Sequence, residues 1–262
     1  MDKPKITIIT VSFNSASTIE KTIKSVIEQD YLNKEYVIID GGSADGTQDI
    51  ILKYKQHIDY FVSERDNGIS DAFNKGISIA TGELIVLINS DDYLVPGALK
   101  KVAQLYDGKS DIYSGNLLLW DVSTGYKCVL QPSLDFPVMP FFRRPAHQGV
   151  FVEKRLYEKI GMYDVKIRYA MDLDFLMRAT KNNAKFKHVD TNVAVFRLGG
   201  ATEDSIFKKR KEYIYIVRKN GGNIFQAYTF YLFLVVTQVV KNVLKGTGFD
   251  FVRRFRYERF KS

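Results

Sequence analysis

LIVLINSDDYLVPGAL, residues 84–99, joins an apolar run to a pair of adjacent aspartates. "LIVLIN" is too short for a free-standing helix and reads as a strand buried on both faces. Strands of that kind belong to parallel sheets covered by helices on each side. The run ends at Asp91 and Asp92, and Pro96 then marks the first turn of a helix over 96–106. Two neighbouring carboxylates repel, and burial aggravates the repulsion. This strand end therefore has to be wet or to meet a cation.

The same alternation extends upstream. "KITIITVSF" (5–13), "EYVIID" (35–40) and "DYFVSE" (59–64) read as strands. Helices are predicted over 15–29, 47–57 with Thr47 as N-cap, and 70–80. The order β-α-β-α-β-α-β-α predicts an α/β fold, a mostly parallel sheet flanked by helices. Ligands of such sheets sit beyond the carboxyl ends of the strands. Every strand here runs into polar residues: Ser12 and Asn14, then Asp40 with "GGSADGT", then Arg65 and Asp66 in "ERDNG", then Asp91 and Asp92. These groups are expected to converge on one edge.

Each has a plain reading as well. Asp91 or Asp92 can cap the following helix, although a cap needs only one of them. Together they suit Mg2+ or Mn2+, hard cations that take one or two carboxylates and complete their shell with substrate phosphates. Asp40 can cap a helix, or accept from a base N–H or ribose hydroxyls. Gly41, Gly42 and Gly46 allow a ligand close to the backbone.

Beyond residue 110 the pattern changes. A strand, a turn at 123–125 and a second strand are expected over 111–131. A shaped loop with three prolines comes next within 136–152, leading into a strand, and then a short helix at "KRLYEKIG". "YAMDLDFLMRATKN" (169–182) reads as a helix with Asp172 and Asp174 near its start, "AKFKHVDTNVAVFRLGG" as one or two short strands, and 203–219 as a long helix.

The overall charge of +8 is unevenly placed. Residues 207–262 carry 13 Lys and Arg against three acids, which leaves the rest of the chain at −2. Within that basic tail, Asn220 to Val240 has no charged residue, and "FVRRFRYERFK" comes a few residues later. An uncharged aromatic stretch with a basic collar suits a helix lying in the surface of an anionic membrane. The alternatives are a helix covering the domain, or a homodimer contact. Nucleic-acid binding is disfavoured by the long apolar run between the basic clusters.

Other chemistries lack their signatures. There is no G-x-x-x-x-G-K-S/T, no G-x-G-x-x-G after the first strand, no Cys/His cluster and no G-x-S-x-G. The one cysteine, Cys128, allows no intrachain disulfide. The N-terminus runs straight into a strand pattern without a leader-like segment, so the expected location is cytoplasmic, peripheral on the inner face of a membrane.

"TIITVSFNSASTIEKTIKSVIEQDY", "VIIDGGSADGT", "SERDNGISDAFNKGI", "ATGELIVLINSDDYLVPGAL" and "YAMDLDFLMR" occur in this order. Together, over roughly residues 5–200, they resemble glycosyltransferase family 2. The resemblance implies the GT-A fold and inverting sugar transfer from a nucleotide-sugar donor, usually with Mn2+ or Mg2+. It implies that Asp40 contacts the nucleoside, that Asp91 binds ribose or the donor sugar, that Asp92 holds the metal, and that Asp172 is the general base. Many relatives carry a glutamate before that base, where this chain has Met171. Asp172 has a second reading as a helix N-cap.

Ser12, Asn14, Arg65 and Asp66 are further candidates for the nucleotide. Arg143, Arg144, His147 and Asp174 are candidates for acceptor or phosphate contacts, with a solvated loop, local hydrogen bonding or helix support as their plain readings. Trp120 reads as a strand-core residue, with sugar stacking as the alternative. The expected organisation is a catalytic domain over 1–202, with a nucleotide half (1–110) and an acceptor half (111–202), and a membrane-associating or oligomerising extension over 203–262. UDP is the expected nucleotide, with dTDP and GDP as alternatives, and the expected acceptor is a saccharide, lipid-linked, in glycan assembly. Transfer to a polyprenyl phosphate and a non-catalytic, nucleotide-sugar-binding or tethering role are the rival readings.

Overall fold

The computed structural model describes residues 3–122, 125–132, 147–198 and 209–246. Its first half keeps to the predicted alternation: β1 (Ile6–Ser12), α1 (Ile19–Ile27), β2 (Lys34–Asp40), α2 (Thr47–Lys53), β3 (Tyr60–Ser63), α3 (Ile69–Ile79), β4 (Leu84–Asn89). Next come β5 (Tyr93–Leu94), α4 (Ala98–Leu105), β6 (Ile112–Asp121) and β7 (Lys127–Leu130). A 3-10 turn (His147–Gly149) leads into β8 (Val150–Glu153), α5 (Lys154–Ile160), α6 (Met171–Lys181), β9 (Phe186–Leu198), α7 (Arg210–Lys219) and α8 (Ile224–Gly246).

The nine described strands form one sheet in the order β3-β2-β1-β4-β8-β6-β9-β5, with β7 on the side of β6. β3, β2, β1 and β4 are mutually parallel, and β6 and β9 run the same way; β5, β7 and β8 run opposite. The sheet is mostly parallel, as predicted, with the reversed strands all on the side of the sheet beyond β4.

Period-two alternation sends successive side chains to opposite faces. In β4, Ile85 and Leu87 join the core under α3, α5 and α6, whereas Leu84, Val86 and Ile88 join the core under α1 and α4. β1 and β2 divide in the same manner, with Ile9 and Val37 on one side and Ile8 and Ile38 on the other. Burial on both faces is why these segments read as unbroken apolar runs.

Several local expectations are corrected. Thr47 is the first residue of α2, not its cap; the cap position is Gly46, at φ +93°, a conformation that favours glycine. α4 starts at Ala98, so Pro96 precedes the helix. The segment expected as one or two short strands is a single 13-residue strand, β9, because it lies along most of β6 and also receives β5. The long C-terminal helix is described from Arg210, and its predicted beginning lies outside the described residues.

Candidate active site

The register brings the predicted polar positions together. Ser12 pairs with Asp40, Asp40 with Ser63, and Val11 with Asn89, so the carboxyl ends of β1, β2, β3 and β4 form one edge. Asp40 lies at its centre and is fully buried. Its carboxylate accepts from the hydroxyls of Ser12 (2.7 Å), Ser43 (2.6 Å) and Ser63 (2.6 Å), and from the backbone N–H groups of Gly42 (3.1 Å) and Ser43 (2.8 Å). Burial would raise its pKa, but the donors from Ser43, Ser63 and Ser12 prevail and hold it below the ordinary carboxylate value. Asp40 thus organises the loop after β2 with every acceptor position engaged.

That loop is laced to the one after β1. Asn14, at φ +48°, accepts the Ala44 N–H through its side chain at 3.1 Å, while its own N–H donates to Ser43 Oγ at 2.8 Å. The N–H of Ser15 donates to Thr47 Oγ1, and that of Ala16 to Asp45. Asp66 comes up beneath Gly41: a Cβ added to that glycine would meet Asp66 Oδ2 at 2.6 Å, so the glycine lets this carboxylate sit close to the backbone. Arg65 is exposed beside it.

The pair at the end of β4 is unequal. Asp91 is half-buried, whereas Asp92 is fully buried. Asp92 Oδ2 accepts from Gln148 Nε2 (2.8 Å) and Asn89 Nδ2 (3.2 Å), and Oδ1 accepts from the Arg197 N–H (3.0 Å). Burial, and then the neighbouring Asp91, raise the Asp92 carboxyl to about 7 against these donors. Burial also raises Asp91, opposed by the charge of Arg197.

Gln148 and Arg197 were not among the predicted site residues. Gln148 comes from the 3-10 turn that leads into β8, and Arg197 from the end of β9. Continuing the β4–β8 register three residues past Val86↔Phe151 sets Gln148 opposite Asn89. Continuing the β5–β9 register two residues past Tyr93↔Val195 sets Arg197 opposite Asp91.

The edge fits a divalent cation. Among the described residues no group of three His, Cys, Asp or Glu side chains forms a closed metal site. Two carboxylates with raised pKa stand side by side, and the amide oxygens of Asn89 and Gln148, whose nitrogens hold Asp92, are buried without partners. Such oxygen donors, with room left for phosphate and water, are what Mn2+ and Mg2+ use.

The second half contributes a mostly apolar pocket lined by Asp172, His147, Leu87, Tyr157, Tyr163 and Phe175, among others. Asp172 is not the N-cap of α6; Ala170 is. Asp172 stands in the first turn, half-buried, and accepts the Leu173 N–H at 2.8 Å. His147 meets the Phe73 ring edge-on at 5.7 Å. His147 and Gln148 are adjacent, so one dipeptide reaches both the Asp172 pocket and Asp92. Met171 is buried and its sulfur accepts from Ser70 Oγ at 3.2 Å.

Asp174 is not a surface contact. It is fully buried, paired with Arg178 (2.9 Å) and Lys219 (3.1 Å), and bonded to Asn220 (3.0 Å). It ties α6 to α7, the helix-supporting alternative. Trp120 is only half-buried at the end of β6, and its ring meets three cations, Lys21 (4.8 Å), Lys127 (5.1 Å) and Arg197 (5.8 Å), so it is not a core residue. Arg143 and Arg144 lie outside the described residues.

The family model described as glycosyl transferase family 2 matches residues 7–167, more than half of the chain. The chain belongs to that family. An uncharacterized glycosyltransferase of Mycobacterium tuberculosis is 32% identical over 185 residues, covering 67% of this chain and 69% of that protein. A PGL/p-HBAD biosynthesis glycosyltransferase of Mycobacterium bovis is 29% identical over 218 residues, covering 80% and 83%. Among solved structures, Staphylococcus aureus TarS 1–349 in complex with UDP-GlcNAc superposes with a TM-score of 0.66 at 18% identity, over 87% of this chain and 70% of that one. The mannosyltransferase PcManGT of Pyrobaculum calidifontis, in complex with GDP-Man and Mn2+, gives 0.62 at 17%, over 88% and 70%. At these identities the likeness is one of fold, the GT-A arrangement expected of a family 2 glycosyltransferase.

Proposed function

We propose that this family 2 glycosyltransferase moves a sugar from a nucleotide-sugar donor, a UDP-sugar first, to a hydroxyl of a lipid-linked saccharide with inversion at the anomeric carbon. The observation that carries the reading is the His147–Gln148 dipeptide, which joins the acidic edge to the Asp172 pocket. A donor across that edge and an acceptor hydroxyl brought to Asp172 would meet at one place.

The nucleoside would lie over the laced loops after β1 and β2. Ser12, Asn14 and Asp40 hold the shape of that floor, with Arg65 and Asp66 at its side. Asp91 and Asp92 are the residues that would hold Mn2+ or Mg2+. A bound ion supplies positive charge against the charge growing on the leaving diphosphate. Asp172 takes the proton of the acceptor hydroxyl, which attacks the anomeric carbon from the face opposite the diphosphate. An α-linked donor then yields a β-glycoside. His147, in the same pocket, positions the acceptor. The UDP-GlcNAc bound by TarS supports the donor class, and the GDP-Man and Mn2+ bound by PcManGT keep GDP and the metal in view. The basic C-terminal segment would hold the enzyme on an anionic membrane, where a lipid-linked acceptor resides.

Asp172→Asn tests the assignment. Transfer, read as product mass with UDP-sugars, should fall about 10²–10⁴-fold, the usual worth of a general base. UDP binding by calorimetry should be unchanged. Activity that survives the substitution means the base is elsewhere.

A further inference from the structure

α7 and α8 pack together, and their inner sides complete the main core. Ile216, Val217, Ala227 and Phe230 are buried in the same apolar cluster as Ala170, Met171 and Phe175 around α6. The outer side of α8 departs from the rule that a surface helix turns polar residues to water. Phe225, Tyr228, Leu232, Phe233, Val236 and Val239 are all exposed, Phe225 to 77% and Leu232 to 61%. Their spacing of three and four residues sets them on one face over about four turns.

The hydroxyls of Thr229 and Tyr228 on this helix are already engaged. Thr229 Oγ1 donates to the Phe225 carbonyl at 2.9 Å, and the Tyr228 hydroxyl accepts from Arg210 at 3.4 Å. One flank is cationic: the Arg210 guanidinium lies over the rings of Tyr228 (5.5 Å) and Tyr231 (5.7 Å), and Lys209 and Arg168 lie over Tyr169. No charge of either sign occurs from Asn220 to Val240. Among the described residues no helix is long and apolar enough to cross a membrane.

We propose that the outer face of α8 is a docking surface for an anionic bilayer, with the helix lying in the boundary between headgroups and acyl chains. The proposal rests on the proposed membrane location and assigns the contact to this face rather than to the basic residues beyond it. An apolar face with aromatic rings and cations on its flank matches that boundary in depth and in charge. A second copy meeting face to face would present the same patch and bring no acid from 220–240 to the cationic flank. The contact would also have a use. Glu212 of α7 accepts the backbone N–H groups of Arg168 and Tyr169 at 2.9 Å, just before Asp172. Docking α8 therefore sets the Asp172 pocket at a fixed height over the lipid.

The experiment is co-sedimentation of the full-length chain with phosphatidylcholine vesicles, with and without phosphatidylglycerol. Wild type should sediment with the anionic vesicles. Leu232→Ser/Val236→Ser should lower the partition coefficient about tenfold or more, the scale expected from removing two apolar side chains from the contact, with an unchanged unfolding temperature. A separate readout needs no loss of function. The fluorescence of Leu232→Trp should be quenched by lipids brominated on the acyl chain, and that of Leu52→Trp, on the exposed side of α2, should not. Sedimentation of the double variant equal to wild type, or no quenching of Leu232→Trp on bound vesicles, overturns the assignment of α8 while the membrane reading stands. Failure of wild type to bind any vesicle overturns both. A dimer that the double variant turns into a monomer, with vesicle binding unaltered, gives the face to a second copy and also overturns the proposal.

Discussion

Asp40 and Asp92 stand at the ends of parallel strands with only β1 between them, and both are fully buried. They differ in what meets the charge. Asp40 receives five donors, from the ends of β1 and β3 and from the loop after β2, and its pKa is lowered. Asp92 receives three donors and a second carboxylate, and its pKa is raised to about 7. Burial works against both charges; the count and kind of partners set the sign. One strand end is complete within the chain, and the other is the one proposed to take a cation.

The largest expected effect separates the two by activity. Asp92→Ala should lower transfer about 10³-fold or more, the scale of losing metal charge at a leaving diphosphate. It should also abolish the Mn2+-dependent part of a thermal shift with UDP. A nucleotide at about 100 times its dissociation constant adds about 2.7 kcal/mol to wild type, and EDTA should remove most of that. Retention of the Mn2+ effect in Asp92→Ala would move the metal elsewhere.

Stability should separate them by sign. In metal-free protein at pH 8, urea unfolding should show Asp92→Asn more stable than wild type by up to about 4 kcal/mol, since a pKa unit is worth about 1.4 kcal/mol. The unpartnered oxygens of Asn89 and Gln148 are at hand to accept from the new amide. Asp40→Asn should be less stable by about 2 kcal/mol, because hydroxyl and backbone donors lose a charged acceptor. Equal signs would erase the distinction between the two strand ends.

The pH dependence divides in the same way. The folded state holds a proton on Asp92 that the unfolded state releases above about pH 4, so this residue's contribution to stability declines from about pH 4 to 7. Asp40 acts the other way: its contribution is present above the ordinary carboxylate pKa and is lost as acid drives the pH down through its lowered value. Denaturation of wild type and Asp92→Asn at about pH 5 and about pH 8 reads the first trend, and wild type and Asp40→Asn at about pH 5 and about pH 2 the second. The smallest change should come from Ser63→Ala, which removes one of the five donors and should cost about 1 kcal/mol.

The first four strands and their helices were legible because each is a local pattern: an apolar run, a polar turn, then 3.6-residue periodicity. Their ends were legible too, since parallel strands joined by crossovers bring carboxyl ends to one edge. The features that stayed hidden depend on pairing between distant segments. β5 is two residues long, and no periodicity announces it. Gln148 and Arg197 meet Asp92 through the registers of β8 and β9, and a strand pattern does not name its partner. Trp120 read as core because an indole is usually buried, whereas here cations cover its ring. Asp174 read as a site residue because it is two positions from Asp172; the sequence carries no sign that Lys219 and Asn220 would close over it.

That closure has a mechanical consequence. A carboxylate shut away between Arg178, Lys219 and Asn220 behaves as a rivet: drawing α7 off α6 would take away Lys219 and Asn220 and leave Asp174 only the Arg178 of its own helix. Lys219 also clasps Asp164 at 2.7 Å, in the loop that leads to α6. Lys219 thus joins α7 at two points to the stretch of chain that carries Asp172, one on α6 and one in the loop before it.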